Sequence, residues 1–106
     1  MSGRKSKMDE IIYRAEVNKR SLVVVKRHLG ERSWLCGYIQ ILPGDEYYTE
    51  QDSLMDLDPD ITFVGKGEEI GISRPGDEQI FIGIDTMEKP YLKLGDVINE
   101  LGSLVK

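Results

Sequence analysis

Cysteine occurs once in these 106 residues, at Cys36, and histidine once, at His28. A lone thiol excludes an internal disulfide and fits a reducing cytoplasm. A lone imidazole rules out a metal site built on paired histidines, so His28 reads as a side chain near a strand end. No apolar run approaches the roughly 20 residues that a membrane-spanning helix needs. The opening MSGRKSKMDE is basic, but no apolar stretch follows it, so it does not read as a secretory signal, and a cytoplasmic location in the host cell is expected. Glycine-rich phosphate cradles are also missing. Gly65-Lys66-Gly67 is too short for one and has no helix after it, so it reads as a hairpin turn.

What is present is an ordinary soluble balance of 40% hydrophobic and 31% charged residues. The length suits one domain able to bury its own core. Charge is unevenly distributed along it. Residues 1–35 carry nine Lys/Arg against four Asp/Glu, a net +5, and residues 36–106 carry five against fifteen, a net −10, which together give the overall −5. Between Gly44 and Asp60 stand Asp45, Glu46, Glu50, Asp52, Asp56, Asp58 and Asp60 with no basic residue among them. Part of the surface must be strongly negative.

The segment Ser33 to Leu42, SWLCGYIQIL, has the densest β-type chemistry in the chain and is bulky or apolar at alternate positions on both sides. It is expected to be a central strand, buried on both faces. Before it, residues 1–9 form a basic tail, expected to be flexible. Glu10 to Val17 alternates as a half-buried strand with Ile11, Tyr13, Ala15 and Val17 on one face. Leu22 to His28 is β-branched and pairs with it as a hairpin, so the first three strands make a meander.

After Pro43-Gly44 the acidic connector runs to Asp60, with a short helical turn expected over Glu50 to Leu57. Ile61 to Val64 resumes strand character, Glu69 to Ile72 reads as a short edge strand, and Gln79 to Asp85 as a second interior strand. Leu94, Val97, Ile98, Leu101, Leu104 and Val105 recur at helical spacing and predict an amphipathic helix over about residues 92–105. Gly37 and Gly83, inside the two interior strands, mark places where another element crosses closely, the helix being the expected one. The fold class expected is α+β: a curved antiparallel sheet of five to six strands with a C-terminal amphipathic helix packed on one face, residues 10–106 forming the single domain.

Candidate chemistry is sparse. Cys36 lies within an apolar strand and reads as an inert core thiol. Asp56-Leu57-Asp58-Pro59-Asp60 spaces its carboxylates alternately, but it lacks the glycine and terminal glutamate of a helix-loop-helix calcium site. No cofactor and no catalytic residue is expected. A small metal-dependent nuclease using Asp58, Asp60 and Asp85 is the enzymatic alternative, and it wants the histidine or lysine partners of a good acid–base set. Arg14, Lys19, Arg20, Lys26, Arg27 and Arg32 gather around the first hairpin as candidate RNA contacts, or else as a solvated face. The carboxylates from Asp45 to Asp60 are able to imitate nucleic-acid phosphates.

The order WLCGYIQILPGDEYY, an acidic connector, DPDITFVG and IFIGIDT resembles a group of small proteins of bacteriophages and other mobile elements. In that group a Cys-Gly-Tyr strand leads through a turn and an aspartate-rich loop to a His-Gly-Gly-Ile-Thr-Tyr type strand and a Gly-Phe-Asp strand. The resemblance covers Trp34 to Thr86. Here Asp58-Pro59-Asp60 replaces His-Gly-Gly, and Ile84 replaces the phenylalanine before Asp85, so no role tied to that histidine transfers. The resemblance implies a mobile-element origin and, by analogy with small acidic proteins of such elements, a noncatalytic inhibitor of a host nucleic-acid-processing complex, such as an anti-CRISPR protein acting on a CRISPR effector nuclease or its guide RNA. Asp45, Glu46, Glu50, Asp52, Asp56 and Asp58 are then expected to meet a basic channel on the partner, with Tyr47 and Tyr48 as aromatic anchors. A phage structural or regulatory protein acting by self-association is the remaining alternative.

Overall fold

In the computed structural model, which describes residues 9–53, 56 and 58–105, an open five-stranded antiparallel sheet carries a C-terminal helix on one face. The strands are β1 (Asp9–Val17), β2 (Arg20–Leu29), β3 (Arg32–Ile41), β4 (Phe63–Lys66) and β5 (Ile80–Asp85), in the spatial order β1-β2-β3-β5-β4. The helix α1 spans Glu46–Thr49 and α2 spans Leu94–Leu104. The expected basic tail lies outside the described residues, apart from Asp9 at the start of β1.

β3 is the central strand, as its two-sided chemistry requires. Its odd-numbered residues Ile39 and Ile41 join Leu22, Val24, Ile82 and Ile84 in one buried cluster, against which α2 sets Val97 and Leu101, with Val105 just after the helix. Its even-numbered residues Trp34, Cys36 and Tyr38 join Val23, Val25 and Phe81 in a second cluster on the far face. Burying both faces of this strand removes most of its apolar area from water, at ~25 cal/mol per Å². α2 therefore needs only its single apolar stripe to dock.

β1 and β2 join through Asn18 and Lys19, both in the left-handed region at φ 50° and 69°. That pair of positive φ values gives a two-residue turn whose twist matches the hairpin. The simple alternation expected for β1 fails at one place. The register shifts between Ile11, opposite Val25, and Tyr13, opposite Val24, so a bulge carries Ile11 to the far face. Ile11, Ile12 and Tyr13 are each 36–40% exposed on this edge strand, and a bulge there hinders pairing with another chain.

Three further expectations change. Gly65 and Lys66 belong to β4, paired with Phe81 and Ile80, instead of forming a turn; pairing Val64 with Ile82 keeps both side chains on the helix face. Glu69 to Ile72 is not a strand. A single 3₁₀ turn, Gly67–Ile70, is closed by Gly71 at φ 78°, and Glu69 accepts from the Lys66 N–H at 3.4 Å. This turn and the segment up to Gln79 cover the far face, with Ile70 and Ile72 packed into its cluster. The helical turn expected over Glu50 to Leu57 is present as the 3₁₀ turn Gln51–Ser53 and at Asp56, but helix starts earlier, at Glu46, where Tyr47 and Tyr48 pack against the core; Leu54, Met55 and Leu57 lie outside the described residues.

Candidate functional site

The acidic connector is held by a few of its own members. Asp45 follows the Pro43-Gly44 turn, and its Oδ2 accepts the Leu42 N–H at 2.8 Å and the Arg20 Nε–H at 2.8 Å. Arg20 Nη2 closes a second contact on Oδ1, giving a bidentate pair whose side chains are each 14% exposed. The Arg20 guanidinium holds the Asp45 carboxyl below the usual carboxylate range, aided by the Leu42 amide, and Asp45 in turn raises the pKa of Arg20. This pair fastens the connector to the first hairpin.

Tyr47 donates its hydroxyl to Asp58 Oδ2 at 3.1 Å, while Asp58 Oδ1 accepts the Asp60 N–H at 3.0 Å. Burial, and then the Asp58 carboxylate, raise the Tyr47 pKa. Tyr47 and Tyr48 are half-buried against the helix-face core. Asp45, Tyr47, Tyr48 and Asp58 thus build a frame, and among the described side chains Glu46, Glu50, Asp56 and Asp60 are exposed carboxylates of the connector. Asp52 lies in the 3₁₀ turn Gln51–Ser53.

Asp60 leads into a cleft of about 410 Å³ between α2 and the end of β5. Its apolar lining includes Ile84, Val97, Leu92 and Met87, and its charged lining is Asp60, Asp85, Glu88 and Glu100 with Lys89 as the one cation. Tyr91, next in sequence to the lining residue Leu92, is 72% exposed. Glu88, Tyr91 and Glu100 carry no signal in the sequence, since each lies far along the chain from the acidic connector. Only the fold brings the carboxylates to one place.

The candidate RNA contacts separate. Arg20 is committed to Asp45. Arg14, Arg27 and Arg32 belong to the far face: Arg14 donates to the Ile72 carbonyl at 3.3 Å, Arg27 to the Tyr38 hydroxyl at 3.3 Å, and the Arg32 guanidinium lies 5.8 Å from the Trp34 ring centre. Lys19 sits at the hairpin turn, and Lys26 alternates to the helix face beside Leu35. These side chains form no single patch.

Cys36 is 1% exposed in the far-face cluster. Burial, with Asp85 adding to it, pushes its thiol up to about 12, and burial together with Cys36 pushes the Tyr38 hydroxyl up to about 12. Among the described residues, no group of three or more His, Cys, Asp or Glu side chains is placed to hold a metal ion. Asp60 and Asp85 both line the cleft, but Asp85 is paired with Cys36 of the far-face cluster and its Oδ1 accepts the Met87 N–H at 2.7 Å, whereas Asp58 turns its carboxylate to Tyr47 and the Asp60 amide. Among the described residues no helix is long and apolar enough to cross a membrane. In comparisons with known proteins, no family model, no curated protein and no solved structure matches the chain.

Proposed function

We propose that this chain is a noncatalytic inhibitor, carried by a phage or other mobile element, that occupies the basic nucleic-acid channel of a host complex, a CRISPR effector nuclease in particular. The observation that supports this reading is the division of labour among the carboxylates. Asp45 and Asp58 are consumed in holding the connector, and by doing so they leave Glu46, Glu50, Asp56 and Asp60 facing solvent on a fixed scaffold.

A surface of this kind steers a basic partner and repels nucleic acid. The cleft adds local recognition. A lysine or arginine of the partner lays its aliphatic stem against Met87 and Leu92 and its charge among Asp60, Glu88 and Glu100, with Tyr91 as the neighbouring aromatic contact. The test is capture of a purified effector nuclease by the immobilised chain, with and without guide RNA. Binding that guide RNA displaces supports occupation of the channel, and an effector that ignores the chain in both states removes that partner.

A further inference from the structure

We propose that the cavity between β1 and the segment 71–79, on the far face of the sheet, is a binding site for a phosphate group, gripped by Arg14 and Arg74. Both arginines line this space of about 540 Å³, a volume within the ordinary range for small-ligand sites. This site is independent of the proposed acidic contact, since its lining includes Ile72 and Phe81 of the far-face cluster whereas the acidic cleft includes Ile84 and Val97 of the other.

Asp and Glu outnumber Lys and Arg by nineteen to fourteen in this chain, so arginines have carboxylates to choose from. Arg20 takes Asp45, Arg27 binds the Tyr38 hydroxyl and Arg32 stacks on Trp34. Among the described residues, Arg14 and Arg74 form no ion pair, and they are the two that share a cavity. Asp77, the carboxylate in that lining, turns one oxygen to the Gln79 N–H at 2.8 Å.

Arg14 is already oriented. Its Nη2 donates to the Ile72 carbonyl, which fixes the side chain and leaves other N–H donors of the planar fork for a ligand. Arg74 lines the same space from the turn in which the Asp77 N–H donates to the Arg74 carbonyl at 3.1 Å. Ser21 and Gln79 add neutral polar groups to the lining, and the buried Phe81 ring is part of its floor. Two arginines lining one space match the several oxygens of a phosphate better than a single carboxylate.

The test titrates the full chain with inorganic phosphate and, separately, with a single-stranded RNA oligonucleotide, following backbone amide NMR shifts. Saturable shifts at Gly71, Ser73 and Gln79 that weaken about tenfold or more in R74Q and in R14Q support the site. R14K, which keeps the charge and a donor toward Ile72, controls for loss of structure. Saturation by inorganic phosphate alone assigns the group to a small phosphate compound, whereas oligonucleotide binding that phosphate displaces assigns it to a nucleic-acid backbone. Absence of saturable shifts with either probe up to ~20 mM, or binding that both glutamine variants leave unchanged, overturns the proposal.

Discussion

Gly37 lies so close beneath Val97 that a Cβ on it would stand 2.5 Å from Val97 Cγ1, with Leu101 Cδ1 at 2.7 Å. The bare backbone of the central strand is what lets α2 sit directly on the sheet. Alanine at this position must lift the helix or distort both side chains, and G37A is expected to cost about 2 to 3 kcal/mol in denaturant unfolding. Shortening the neighbour should return part of it, so G37A/V97A is less destabilised than the two single changes together predict, by about 1 kcal/mol. Additive losses would show that the helix does not rest on Gly37.

Removing the connector's fastening has a different signature. D45A is expected to lower stability by about 2 kcal/mol, because it strands the half-screened Arg20 guanidinium and the Leu42 amide together. Since the folded Asp45 pKa lies below its unfolded value, the unfolded state takes up the proton first as pH falls. The stabilisation is complete above the unfolded carboxylate range, near pH 4, and disappears as pH drops through the lower folded value. D45N should therefore show a shallower loss of stability below pH 4 than the parent in urea titrations at stepped pH.

Alkaline pH probes the far face. Cys36 and Tyr38 stay protonated in the folded state up to about 12, whereas the unfolded chain releases the thiol proton near 8.5 and the phenol proton near 10. Stability from these groups is intact below pH 8 and is lost progressively as pH rises toward 12. C36A should flatten the first part of that decline. In the parent, thiol labelling at pH 8 should proceed only as fast as the structure opens, and rapid labelling of the native state would contradict the burial of Cys36.

Lys19 holds φ at 69° in a turn position suited to glycine. Because Asn18 already supplies the first residue of an Asn-Gly turn, K19G is expected to raise stability by about 0.5 to 1 kcal/mol, read as a higher urea midpoint at unchanged slope. A loss would show that the lysine side chain makes a contact that outweighs its backbone cost.

Much of the architecture was legible because it rests on periodic burial. The two-sided chemistry of Ser33 to Leu42 marked the central strand, the three-and-four spacing from Leu94 to Val105 marked the helix, and Gly37 marked where they touch. Gly83 was read as a close approach too, but its neighbour is the Tyr38 ring, 2.5 Å from a built Cβ on the face away from the helix. Sequence alternation cannot say which side chain fills a gap across a strand. Glu69 to Ile72 was misread as a strand because glycines and carboxylates there make local caps: Glu68 accepts the Gly76 amide and Glu69 the Lys66 amide. Carboxylates spent inside the fold look the same in sequence as those facing a partner. That is why Asp45 and Asp58 stood beside Glu46 and Glu50 as contacts, while Glu88, Glu100 and Arg74 passed unmarked.

Exposed charge acting without chemistry is the central proposal, and charge reversal tests it most directly. The E46K/E50K/D56K/E100K variant alters surface side chains, so it should keep the parent's unfolding midpoint closely. Its affinity for the effector nuclease, measured by biolayer interferometry at two salt concentrations, is predicted to fall by about a hundredfold, mainly through slower association, and the parent's association is predicted to slow as salt rises. Parent-like affinity in a folded variant, or association indifferent to salt, would contradict it.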